Sequence, residues 1–301
     1  MTAPSIARPA AWTATRTAGP LAATPASLFA ALATSMLLLA PFPTRAQDWQ
    51  LTYRVHVGGI AVLDAQAELA LAGDRYSVRL DAVTDGFLGR MFPWETHARS
   101  VGTFRPDGVT PLRHTQVSTL RGKPRNVTLD YDGRGDVRAE VTPPPDADDR
   151  DPVPDTLRRA TFDPLSGVVG VLLAGLRGDG CQRTVPIFDG RRRYDMHFAD
   201  QGMRMVGASR YSVFAGAARQ CRVSYTPVAG YNRKPDESFW RRGGTPQDRA
   251  PVDVWIAPVT PGGPPLPVRL ETDSGMGSVV IHLVSANMAP QTAERPSAEK
   301  P

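Results

Sequence analysis

From Trp49 onward apolar and polar residues alternate in short runs, and each run gives way within a few residues to glycine, aspartate or proline. A two-residue period fits strands whose side chains point to opposite faces, joined by tight turns. The 29 prolines and 27 glycines of the chain recur too often for long helices. In Trp49 to Val57, residues Leu51, Tyr53, Val55 and Val57 share one face, while Thr52, Arg54 and His56 share the other. Gly58-Gly59 then carries hairpin chemistry. Ile60 to Leu71 and Tyr76 to Val83 repeat the alternation across Gly73-Asp74, so the chain opens as an antiparallel meander.

The alternation stops at Asp85 to Trp94, where apolar bulk gathers in a stretch long enough only for a loop or a single helical turn. Further strands are expected at Glu95 to Phe104, Val109 to Ser118, Pro124 to Tyr131 and Asp136 to Val141, each pair separated by turn residues. Thr142 to Asp155 has five prolines and five aspartates and reads as a mobile surface loop, extending to about residue 160. One helix is predicted over about 163 to 177. Asp163 is its N-cap, Pro164 fits the first helical position, and Leu165, Val168, Val169, Leu172, Leu173 and Leu176 form its apolar stripe. No charge interrupts it before Arg177, so it should be buried on most sides against a sheet's concave face. Strands follow at Gln182 to Phe188, Arg192 to Phe198, Met203 to Val213, Ala218 to Tyr225, Val252 to Ala257, Leu266 to Thr272 and Ser278 to Val284. A second mobile loop is expected at about 230 to 249, and a disordered tail from about 287. The fold expected is mainly β: an antiparallel curved sheet or half-open barrel, in one domain over 47 to 286, with one apolar helix against the concave face.

Ahead of this domain, Leu28 to Ala40 is almost uninterrupted apolar residues, about 13 where a membrane helix needs roughly 20. Arg8 and Arg16 precede it, and Thr44 and Ala46 stand at small-residue positions of a cleavage site. Residues 1 to 46 therefore read as an export signal cut between Ala46 and Gln47, leaving a periplasmic or extracellular protein without a transmembrane anchor. That segment holds three arginines and no acid, so its loss lowers the formal net charge from +5 to +2 and removes any case for a nucleic-acid partner.

Cys181 and Cys221 are the only cysteines, and in an oxidising compartment they are expected to pair. Two buried thiols remain the alternative; a redox pair would be spaced Cys-x-x-Cys. The histidines, His56, His97, His114, His197 and His282, fall in separate strands at no ligand-like spacing, so no metal site and no cofactor are expected. No Gly-x-Ser-x-Gly elbow, dinucleotide loop or phosphate loop occurs, and Ser166 beside Gly167 is better explained by helix capping. The chain reads as a non-enzyme. Two apolar clusters could bind something: Phe87, Leu88, Met91, Phe92 and Trp94 as a lid or rim, and Phe239-Trp240 flanked by Arg241 and Arg242.

Several of these signals together resemble a family of exported bacterial proteins known as domain of unknown function 3108. The residues that carry the resemblance are Tyr53-x-Val55 with Gly58-Gly59-Ile60, Gly102 with Pro111 beyond, and the helix from Asp163 to Leu176. The Asp189-Gly190 hairpin before Tyr194, and Trp255 with Leu266-Pro267-Val268-Arg269-Leu270, complete it. The family supplies no catalytic residues. The general look is also similar to the half-open barrels of periplasmic lipoprotein carriers. The expected function is binding or carrying an apolar or amphipathic envelope molecule, such as a lipid, in the concavity beside Val168, Val169, Leu172 and Leu173. The rival is a module that docks an envelope protein on Asp85 to Trp94. An envelope hydrolase would require an acid beside a serine or histidine in one deep cleft.

Overall fold

The computed structural model describes residues 47–145, 150–175, 180–231, 250–275 and 277–288. The export segment with Ala46, the Phe239-Trp240 cluster and the tail from residue 289 lie outside these. The first half is a meander of seven strands: β1 (Gln47–Val57), β2 (Ile60–Ala72), β3 (Arg75–Thr84), β4 (Trp94–Arg105), β5 (Gly108–Leu120), β6 (Lys123–Tyr131) and β7 (Val137–Thr142), with the helical turn α1 (Gly86–Met91) between β3 and β4. Then come α2 (Asp155–Arg158) and α3 (Pro164–Gly175). Six more strands complete the chain: β8 (Arg183–Phe188), β9 (Arg193–Val206), β10 (Gly216–Ala229), β11 (Val252–Pro258), β12 (Pro265–Ser274) and β13 (Gly277–Met288).

All thirteen strands form one antiparallel sheet in the order β7-β6-β5-β4-β3-β2-β1-β13-β12-β11-β10-β9-β8. Apart from β1 beside β13, every neighbour is also a neighbour in sequence. Where consecutive strands are joined by tight turns, as in β1–β3 and β4–β6, this arrangement follows from the small loop entropy of pairing neighbours.

The sheet is strongly curved. α3 is only ~18 Å long by the rise of a helix, yet it touches β3, β4 and β5 from one half of the strand order and β12 and β8 from the other. The sheet therefore wraps around the helix, as its uncharged composition implied. Ser166, Gly167, Val169, Val171, Leu172, Leu173 and Ala174 are buried, while Val168 is 37% exposed. The buried face is turned from the predicted stripe: it takes in Ser166, Gly167, Val171 and Ala174 and leaves Val168 outside, because small residues let strands approach on that side, the side chains of Ile187 and Val185 pressing on Gly167.

The edge strands β7 and β8 do not pair, so the barrel stays open along a seam. Phe188 packs on Val127 and Leu129 of β6 across it, with Val153 in the same cluster. Phe162 forms a parallel bridge to Ile187, donating its N–H to the Pro186 carbonyl and accepting from Phe188 N–H, both at 2.9 Å. Ala160 N–H reaches the Gly135 carbonyl at 2.8 Å. The segment from residue 150 to Asp163 thus fills the seam. Most described residues of 142–160 are exposed, as a surface loop requires, but the segment is tied to the core at Val153, which is 3% exposed, since one valine suffices to anchor a polar segment where a gap in the core awaits it.

β9 is a second difference. Two strands were expected, at Arg192 to Phe198 and Met203 to Val213, but β9 runs unbroken from Arg193 to Val206 and 207–215 is loop rather than strand. Gly202 has φ +76° and sits where the register to β10 shifts, so it serves a bulge instead of a turn.

Candidate functional site

Three places could carry function: the polar centre of the interior, a strap across a fork in the sheet, and the rim that carries α1.

At the centre, Asp163 caps α3 as expected. Its Oδ1 accepts from Leu165 N–H at 3.1 Å and Ser166 N–H at 2.9 Å. The same oxygen accepts the Ser100 hydroxyl at 2.6 Å, and Ser100 Oγ lies 2.8 Å from His114 Nδ1. Nearby, the Tyr76 hydroxyl donates to Ser166 Oγ at 2.7 Å. Gly102, opposite Tyr76 in register, makes room for that ring: a β-carbon there would overlap the ring and the Thr110 carbonyl.

A serine, a histidine and an aspartate therefore meet, but not as a nucleophilic relay. Such a relay needs serine on one ring nitrogen and the acid on the other. Here both lie on Nδ1, with His114 Nδ1 also 3.3 Å from Asp163 Oδ1, and the serine donates its proton to the acid. Ser100, His114 and Asp163 are 0%, 1% and 0% exposed, so no substrate reaches them. Burial alone would raise the Asp163 pKa. The hydrogen bond and charge of His114 and the hydrogen bonds of Ser100 and Ser166 outweigh it and hold the carboxyl below its ordinary value. This centre was invisible in the sequence, because its members come from three elements and follow no local spacing.

The strap is loop 207–215. β13 pairs with β12 only as far as Arg269↔His282, while its pairing with β1 continues to Trp49↔Met288. The strands fork beyond His282, and Val213 N–H donates to the Leu283 carbonyl there at 3.0 Å. Tyr211 stacks on His282 with ring centroids 5.6 Å apart and tilts against His56 at 4.9 Å. Burial lowers the pKa of His282, as do Arg269 and His56, against a smaller opposing pull from Glu271. A lowered folded pKa means that the unfolded chain binds the proton first. This contribution to stability is complete above the ordinary value of 6.5 and is lost as pH falls through the folded value. The thermal midpoint should therefore drop on acidification from neutrality, and His282→Gln should flatten that slope; an unchanged slope in the variant would remove His282 as the cause.

The rim is built from neighbouring turns tied by backbone hydrogen bonds. Asp85 N–H donates to the Val62 carbonyl at 2.9 Å and Arg121 N–H to the Pro93 carbonyl at 2.9 Å. Thr84 Oγ1 accepts from Trp94 N–H at 3.0 Å and itself lies 3.2 Å from the Phe92 carbonyl, closing the α1 loop on itself. Phe87 and Met91 are 67% and 52% exposed. Phe92 is half-buried under the Arg121 guanidinium, and Trp94 is half-buried opposite Leu120. The Leu88 side chain lies outside what is described. On the inner face of β1, exposure rises toward this rim: Trp49, Leu51 and Tyr53 are 1%, 5% and 8% exposed, whereas Val55 and Val57 are only half-buried. Their register partners Leu63, Ile281 and Val279 are half-buried too. The interior is thus packed by α3 toward one end, and its apolar wall is partly open toward the other.

The predicted binding residues accordingly separate. Val169 and Leu173 belong to the main core with Trp49 and Tyr53, and Leu172 is buried as well; Phe87 and Met91 stand in solvent at the rim. Two surface recesses, of about 270 and 440 Å³, lie on β1–β4 around Glu68, Arg79 and Arg99 and on β8–β10 around His197 and Arg222. Neither includes a residue of α1 or α3. Among the described residues no group of three or more His, Cys, Asp or Glu side chains could hold a metal ion. Cys181 and Cys221 form a disulfide beneath β8 and β10.

A family model described as "Protein of unknown function (DUF3108)" matches residues 52–284. No curated protein matches the chain. Among solved structures, it is similar to the one titled "Crystal Structure of Beta-barrel-like Protein of Domain of Unknown Function DUF1849 from Brucella abortus". The likeness has a TM-score of 0.46 at 11% identity and covers 81% of this chain and 99% of that one.

Proposed function

The chain belongs to the DUF3108 family, proteins of unknown function, and we propose that it is an exported, non-enzymatic protein that binds an amphipathic envelope molecule at the open end of its barrel. The observation that carries this reading is the gradient along β1, from the sealed Trp49 to the half-buried Val55 and Val57, beside a rim where Phe87 and Met91 are exposed. An apolar chain laid against Val55, Val57, Leu63, Val279 and Ile281 would remove their remaining surface from water at about 25 cal/mol per Å². The polar head would remain at the mouth, near Arg121 and Lys123. The buried Ser100–His114–Asp163 centre acts in this reading as an anchor for α3, which closes the other end.

Cell fractionation with N-terminal sequencing should find the protein outside the cytoplasm, starting at Gln47. Organic extraction of that protein, followed by mass spectrometry, should release a lipid-like molecule, and a fluorescent fatty acid should bind saturably. Leu120→Gln, at a 44% exposed position opposite Trp94, should weaken the probe about tenfold, the loss of roughly one buried apolar side chain. Absence of saturable binding would overturn the reading.

A further inference from the structure

We infer that the rim docks on the surface of an anionic lipid bilayer. The inference rests on the binding reading for its purpose, since the mouth would then face the source or destination of the ligand, but its evidence is separate. On α1, Phe87, Arg90 and Met91 are spaced three and four residues apart, which puts them on one side of the helical turn. All three are exposed. Ile60, 71% exposed, projects from β2, against which α1 rests. Arg121, Lys123 and Leu120 come from the next turn, held to the α1 loop by the hydrogen bond to the Pro93 carbonyl. Apolar tips and cations therefore share one edge of the molecule.

The charges are available. Arg90 and Lys123 form no ion pair among the described residues, and both are exposed. Of the two acids five residues from Arg90, Asp85 accepts the Gly86 N–H at 2.6 Å. Glu95 lies opposite Val83 in register, on the face of the sheet away from Trp94 and Thr96. Apolar side chains flanked by basic ones suit a boundary where acyl chains meet anionic headgroups. A protein partner fits less well, because a stable interface needs about 20–30 residues a side, and here a few side chains project from separate turns.

The exported protein should co-sediment with phosphatidylglycerol-rich vesicles at low salt about tenfold better than with phosphatidylcholine vesicles, and lose that preference as salt is raised. Phe87→Ser with Met91→Ser, and separately Arg90→Glu with Lys123→Glu, should each lower the bound fraction about tenfold. All four positions are exposed, so unchanged thermal midpoints will show that the fold persists. Equal binding to both vesicle types, binding to neither, or wild-type binding by both double variants would overturn the inference, as would a protein partner that needs Phe87 in the absence of vesicle binding. If the fatty-acid probe binds while vesicles do not, the docking surface alone is wrong; if vesicles bind while no amphiphile does, the reading of the mouth alone is wrong.

Discussion

Asp163→Ala is expected to destabilise the fold by about 3–5 kcal/mol, the usual cost of removing one partner from a buried charged network. The carboxylate is fully buried and takes hydrogen bonds from Ser100, Leu165 N–H and Ser166 N–H while facing His114. Alanine leaves those donors without an acceptor in the middle of the barrel. Asp163→Asn keeps an oxygen for the helix N–H groups and should cost less, about the 1–3 kcal/mol of one buried polar mismatch. The pH dependence separates charge from shape. The folded pKa of Asp163 lies below its ordinary value of 3.8, so its contribution is complete above that value and fades as pH falls through the folded one. Urea unfolding of the wild type should therefore weaken in acid through this group, and both variants should lack that component. A loss below about 1 kcal/mol for Asp163→Ala at neutral pH would mean that the centre is not what anchors α3.

Reduction of the disulfide is the second large effect. Cys181 and Cys221 are 40 residues apart, and closing a loop of that length stabilises by about 4 kcal/mol in the chain-entropy model. The bond joins the start of β8 to β10, both near the open seam, where no further strand restrains the edge. Because the effect acts through the unfolded chain, reduction should lower the urea midpoint and also raise the slope, as the freed chain exposes more surface. Cys181→Ala with Cys221→Ala should behave as the reduced protein does, with a further cost for the two buried sulfurs. An unchanged midpoint on full reduction would rule out this role.

Much of the fold was legible along the chain. The β1 to β7 meander follows from alternation and turn glycines, and α3 from Asp163, Pro164 and an uncharged run. The errors are equally physical. The alternation lapses between Phe198 and Met203, yet β9 continues through a bulge at Gly202, which only its pairing with β10 reveals. The Pro- and Asp-rich stretch before Asp155 offers too little apolar surface to anchor itself, but Val153 finds a gap between β6 and β8 that no local pattern announces. At the candidate site, Phe87 and Met91 were recognisable as surplus apolar bulk. That Val55 and Val57 are half open, although Leu51 and Tyr53 share their face, depends on how far α3 reaches.

Turn chemistry and the two-residue period thus determined most of the strands, their antiparallel sense and the helix α3, because these are short-range properties of backbone and side chain. Tertiary structure decided the pairing of Trp49 with Met288, the seam between β7 and β8, the meeting of Ser100, His114 and Asp163, and which end of the barrel stays open. Those depend on sheet curvature and on a helix of finite length filling only part of the space enclosed. Neither is encoded in the spacing of neighbouring residues.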